Sequence, residues 1–116
     1  MPSYMTANTV LGIDFCENIT VKNAIFDCDT WNNGFTWFIA VSIHNSISNV
    51  IDCTFRNADY HHIWVKNGFC NSENLSFENL GSTGGMSDVY TSCDDNNSIE
   101  THWRNIKSTR EIRNTG

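Results

Sequence analysis

Apolar and polar residues alternate with period two in four short segments, Leu11 to Phe15, Ile39 to Ile43, Ile63 to Val65 and Val89 to Thr91. Alternation of this kind, rich in β-branched side chains, predicts strands with one buried face. Between them runs a second pattern of apolar, polar, Asn or Asp, then small or apolar. It appears as Val21-Lys22-Asn23-Ala24, Val50-Ile51-Asp52-Cys53, Phe77-Glu78-Asn79-Leu80 and Trp103-Arg104-Asn105-Ile106. These copies are 29, 27 and 26 residues apart, a spacing that marks a repeat architecture. A third strand is expected after each Asn site, at Ala24 to Phe26 and Cys53 to Phe55 and more weakly at Leu80 and Ile106.

No helical stripe interrupts this pattern. Three short strands in about 26 residues predict an all-β fold, a parallel β-helix (β-solenoid) of about four coils stacked at roughly 4.8 Å. The Asn site explains the bend between strands. Asn and Asp tolerate left-handed backbone angles because their side chains bond nearby backbone, and stacked copies align their amides into a ladder. Asn23, Asn79 and Asn105 are expected in that ladder, with Asp52 interrupting it. The expected core is Ile13, Val21, Phe26, Val41, Val50, Phe55, Ile63, Val65, Phe77, Val89 and Trp103.

The segments Glu17 to Phe26, Asn49 to Phe55 and Glu73 to Asn79 resemble the repeats of the pectin-lyase-like superfamily, whose fold is a right-handed parallel β-helix. The resemblance covers roughly residues 10 to 108. It implies a substrate groove along the first strand of each coil. That superfamily includes polysaccharide lyases, polygalacturonases, epimerases and viral tailspikes, so the fold alone does not choose a reaction. Of the polygalacturonase constellation only Asp94-Asp95 has a counterpart, in the wrong order and without the rest.

At 116 residues the chain is expected to be a single β-helix domain spanning 1–116, or a segment of a longer solenoid. The formal net charge of −6 and the absence of a basic run argue against nucleic acid and against an anionic membrane surface. Neutral sugars, or acidic glycans bridged by Ca²⁺, are compatible with that charge. Five cysteines lack C-x-x-C spacing, which argues against a zinc or redox cluster. Met1 to Val10 has neither the basic nor the apolar region of an export signal. A polysaccharide or oligosaccharide partner would still imply an extracellular or cell-surface setting.

Outward positions along the groove strands are expected to read Gly12, Ala40, Trp64, Tyr90 and then Asp14, Ser42, Lys66, Ser92. Trp64 and Tyr90 would stack one coil apart, offering apolar ring faces to a pyranose. The same pair could simply brace the sheet. For acid-base chemistry, His62 and Lys66 are the candidate bases and Asp59 the residue that orients them or binds a metal. The resemblance implies a lyase-like set of Asp14, Asp59, Lys66 and Asp94, with acidic residues on Ca²⁺. A binding face without catalysis fits the same residues. A different class also fits: a structural or self-assembling β-solenoid, such as a fibre or tailspike segment, associating through its ends. The long connection from Asp27 to Phe38, with Trp31, Phe35, Trp37 and Phe38, is expected to cap the solenoid or to wall the groove.

Overall fold

In the computed structural model the described residues are 8–28, 38–58, 61–78, 87–107 and 112–114. They form an all-β arrangement of eight strands: β1 (Asn8–Asp14), β2 (Ile19–Lys22), β3 (Ile25–Asp27), β4 (Phe38–Arg56), β5 (His61–Glu78), β6 (Ser87–Ser92), β7 (Ile99–Lys107) and β8 (Ile112–Asn114). Every pairing is parallel. β1, β2 and β3 lie side by side along β4, β4 along β5, and β5 carries both β6 and β7. The segments 29–37, 59–60 and 79–86, which include Asp59, Asn79 and most of the long aromatic connection, lie outside the described residues.

The two long strands are not straight. Asn45 and Asp52 in β4, and Asn67 and Asn74 in β5, have positive φ between 53° and 59°, so each strand bends twice and divides into three segments. The first segments pair with β1 and β6, the middle ones with β2 and β7, and the last with β3 and the end of β7. Among the described residues, every non-glycine residue with positive φ apart from Phe15 is Asn or Asp, as expected of side chains that tolerate the left-handed region. Gly68 follows the Asn67 bend at φ +94°, and a Cβ there would meet the Ser46 carbonyl oxygen at 2.3 Å. Only glycine fits so close an approach of two backbones.

Two amide ladders tie the bends together. In one, Asn74 donates to Asp52 at 2.9 Å, and Asn105 donates to Asn74. In the other, Asn45 donates to Asp14 at 3.0 Å and Asn67 to Asn45 at 2.9 Å. Asparagine hydrogen bonds thus link the bends, with two corrections: Asp52, expected to interrupt the ladder, joins it as an acceptor, and the third bend lies elsewhere. Val50 pairs with Ser72 and Ser72 with Trp103, while Phe77 pairs with Phe55. Asn74, not Asn79, takes the third bend, and Leu75 rather than Leu80 opens the strand segment after it.

The core collects the inward side chains of all three sets of segments. Eight of the eleven expected core residues are fully or almost fully buried, and Val21, Phe26 and Trp103 pack against them partly open. Phe26, Phe55 and Phe77 stack face to face, with centroids 5.2 and 5.3 Å apart. Burying each such ring contributes about 1.5–3 kcal/mol. All five cysteines are free thiols. Cys53 and Cys70 are buried as small apolar side chains, and burial, with Asp27 nearby, pushes the Cys28 thiol up to about 12.

Candidate functional site

Parallel register converts positions in sequence into rows running across the strands. On the outer side of the first set of segments, Gly12, Ser42, Trp64 and Tyr90 form one row, and Asp14, His44, Lys66 and Ser92 the next. Trp64, Tyr90, Lys66 and Ser92 stand where the sequence predicts, but the second strand is shifted by two residues. Ala40 is fully buried in the core, so Ser42 takes its expected place and His44 that of Ser42. The cause is the spacing of bends: Asn45 lies over Asn67, which puts His44 beside Lys66.

His44 is therefore the residue that pattern reading missed, although its place just before Asn45 matches that of Lys66 before Asn67. Its ring meets Trp64 edge to face at 4.8 Å, and one ring nitrogen lies 2.8 Å from the Ser42 hydroxyl. Trp64 meets Tyr90 in a T-shaped contact at 6.0 Å and donates from Nε1 to Ser92 at 3.1 Å. His61 stacks on Tyr90 at 4.8 Å. Trp64, Tyr90 and His44 are half-buried, so the row is braced from within and open outward.

Charged groups border this row. Lys66 pairs with Asp94 at 3.4 Å, both side chains partly in solvent. The Asp94 carboxylate accepts from the Asn67 side-chain amide at 3.2 Å, and the Asp94 backbone N–H donates to Asn67 Oδ1 at 2.9 Å. The Asn67 hydrogen bond, with Lys66 beside it, holds the Asp94 carboxyl below its ordinary value. Burial first, then the Lys66 charge, pushes the His44 imidazole down from 6.5, against the opposing pull of Asp14 and Asp94. His44 is accordingly neutral at neutral pH.

His62 and Lys66 are not brought together as expected. Asp59 lies outside the described residues. His62 is fully buried and its Nδ1 sits 2.9 Å from Oδ1 of the equally buried Asp88. Its ring stacks on Phe77 at 5.7 Å. A side chain enclosed in the core cannot act as a base toward an outside substrate, so pairing His62 with Lys66 is corrected. The cause is a break in alternation: His61, His62 and Ile63 are all buried in succession. Asp14 and Asp94 are separated by Asn45 and Asn67 along the ladder and do not converge. Among the described residues no three His, Cys, Asp or Glu side chains gather as metal ligands do.

A shallow groove of about 310 Å³ lies on a different side, lined by Asp52, Thr54, Asn74, Ser76, Asn105 and Lys107 among others. It carries no aromatic ring, so a ligand there would find hydrogen bonds but no stacking surface. The His44, Trp64 and Tyr90 row combines both and is the better candidate. Comparison with known proteins brings no relative: no family model matches the chain, and no curated protein or solved structure matches it.

Proposed function

We propose that the chain winds as a right-handed parallel β-helix of about four coils, three short strands to a coil, and binds polysaccharide or oligosaccharide on the His44, Trp64 and Tyr90 face. Support for the winding comes from long strands bent twice at left-handed residues and paired in parallel throughout. Parallel connections in one sheet are almost always right-handed. This is the architecture of the pectin-lyase-like superfamily that the repeats resemble.

One observation carries the saccharide reading. Trp64 and Tyr90 stand on adjacent strands of an outward face, bordered by hydroxyls, a neutral imidazole and an ion pair. Sugars offer matching surfaces, apolar on the ring face and polar at the hydroxyls. With His62 enclosed, the reading is a binding face, and the proposed setting is the extracellular space or the cell surface. Trp64→Ala should abolish retention on a glycan array while the circular dichroism spectrum stays that of the parent. Unchanged retention would remove the assignment.

A second reading has its own support. Val10, Phe15 and Ile25, at 53%, 78% and 66% exposure, are three of the four large hydrophobic side chains that stand exposed among the described residues, and all lie in or between β1, β2 and β3. A structural role in which that edge is covered by another copy accounts for them. Light scattering at rising concentration separates the two, since a strictly monomeric protein rules out self-association.

A further inference from the structure

We infer that Asn67-Gly68 is a deamidation site that the fold holds closed, and that its conversion to aspartate or isoaspartate, once the bend opens, keeps the chain from regaining this fold. The inference is independent of what the aromatic face binds.

The bend itself demands the labile pair. Position 67 needs a residue that tolerates φ +59°, as asparagine does. Position 68 admits only glycine, since a Cβ would meet the Ser46 carbonyl oxygen at 2.3 Å. Glycine after asparagine puts no side chain in the way of attack by the backbone nitrogen on the carboxamide. In that attack the Gly68 nitrogen gives up its proton to water or hydroxide and bonds to Asn67 Cγ, while Nδ2 takes a proton and leaves as ammonia. Water then opens the cyclic imide at either carbonyl carbon, giving aspartate or isoaspartate.

In the folded chain both reacting groups are held. Asn67 is buried, its amide donates to Asn45 at 2.9 Å and to Asp94 at 3.2 Å, and its Oδ1 accepts the Asp94 backbone N–H at 2.9 Å. The Gly68 N–H donates to the Ser98 carbonyl at 2.7 Å. Attack therefore requires these bonds to break, which is a local opening of the bend. An aspartate at position 67 has no donor for Asn45 or Asp94 and sets a second carboxylate against that of Asp94, with the Lys66 ammonium shared between them. Isoaspartate also adds a carbon to the main chain where Gly68 lies tightest against Ser46.

The chain carries its own reference, because Asn33-Gly34-Phe35 repeats the residues of Asn67-Gly68-Phe69. The full chain is incubated in mildly alkaline buffer with and without guanidinium chloride, and peptide mass spectrometry follows the amide-to-acid mass gain at both sites. In denaturant the two should convert at rates within about threefold of each other. Without it Asn67 should convert about 100-fold more slowly than in denaturant, or slower still. Conversion of Asn67 as fast in the folded protein as in denaturant overturns the inference, as does an intact Asn67 in unfolded chains whose Asn33 has converted. Aged samples are then diluted out of denaturant. Chains converted at Asn67 should aggregate or melt at a lower temperature than chains converted at Asn33 alone. Their recovery with the melting temperature of the parent overturns the claimed consequence.

Discussion

The ladder of Asp52, Asn74 and Asn105 permits a test of register by exchanging one oxygen for one nitrogen. Asn74 donates its amide to Asp52 at 2.9 Å and accepts from Asn105. Asn74→Asp leaves the left-handed bend tolerable and keeps the acceptor for Asn105, but it removes the donor to Asp52 and sets two carboxylates face to face. The lost hydrogen bond is worth about 1 kcal/mol. Like charges about 4 Å apart add about another 1 kcal/mol in water. A loss of about 2 kcal/mol at neutral pH follows, read as a lower urea midpoint with unchanged slope. Adding Asp52→Asn to Asn74→Asp restores a donor and an acceptor with their direction reversed. It should recover at least half of the loss. Acidification that protonates carboxylates should relieve the single variant more than the parent. A single variant as stable as the parent at neutral pH, or a double variant no better than the single one, would mean that these two residues are not neighbours.

Two further outcomes follow from local geometry. Gly68→Ala forces a Cβ to 2.3 Å from the Ser46 carbonyl oxygen at φ +94° and should cost about 3 kcal/mol or more, seen as a large drop in melting temperature or loss of soluble protein. His44 takes up a proton less readily in the folded chain than in the unfolded one, because its pKa is lowered from 6.5. Stability should therefore be complete above the unfolded value and fall as pH drops through it toward the folded one, and His44→Gln should remove that part of the pH dependence of the melting temperature.

Strand positions were legible in the sequence because alternation is local, and all four groove strands fall where period two puts them. Register was harder, because successive segments are offset by 29 or 30, then 22, then 26 or 31 residues, so no single period aligns them. Phe77-Glu78-Asn79 matched the apolar, polar, Asn template better than Ser72-Glu73-Asn74 does. The chain nonetheless uses Ser72, fully buried between Val50 and Trp103, because this lets Phe77 stack on Phe55. A small polar residue within an apolar row does not register in hydrophobic patterning, and its cost is settled only by neighbours distant in sequence. Trp64, Tyr90 and Lys66 stand on the outward rows as expected, since the third and fourth strands align, whereas the slip in the second strand hid the position of His44.

His62 and His44 show why residue type could not assign the chemistry. Both are histidines on groove strands, and His62 has the Asp partner that suggests catalysis. Nδ1 of His62 lies against Asp88, and its Nε2 is buried without a hydrogen-bond partner. The flat ring then extends the stack of Phe26, Phe55 and Phe77 by one more layer. Its role is to fill the core while keeping Asp88 bonded. His44 meets an indole edge and a serine hydroxyl instead, half open to solvent and within reach of three charges. The place of His44 beside Lys66 is set by the bends that Asn45 and Asn67 impose, and that of His62 by the break in alternation at His61–Ile63, so neither could be read from residue type alone.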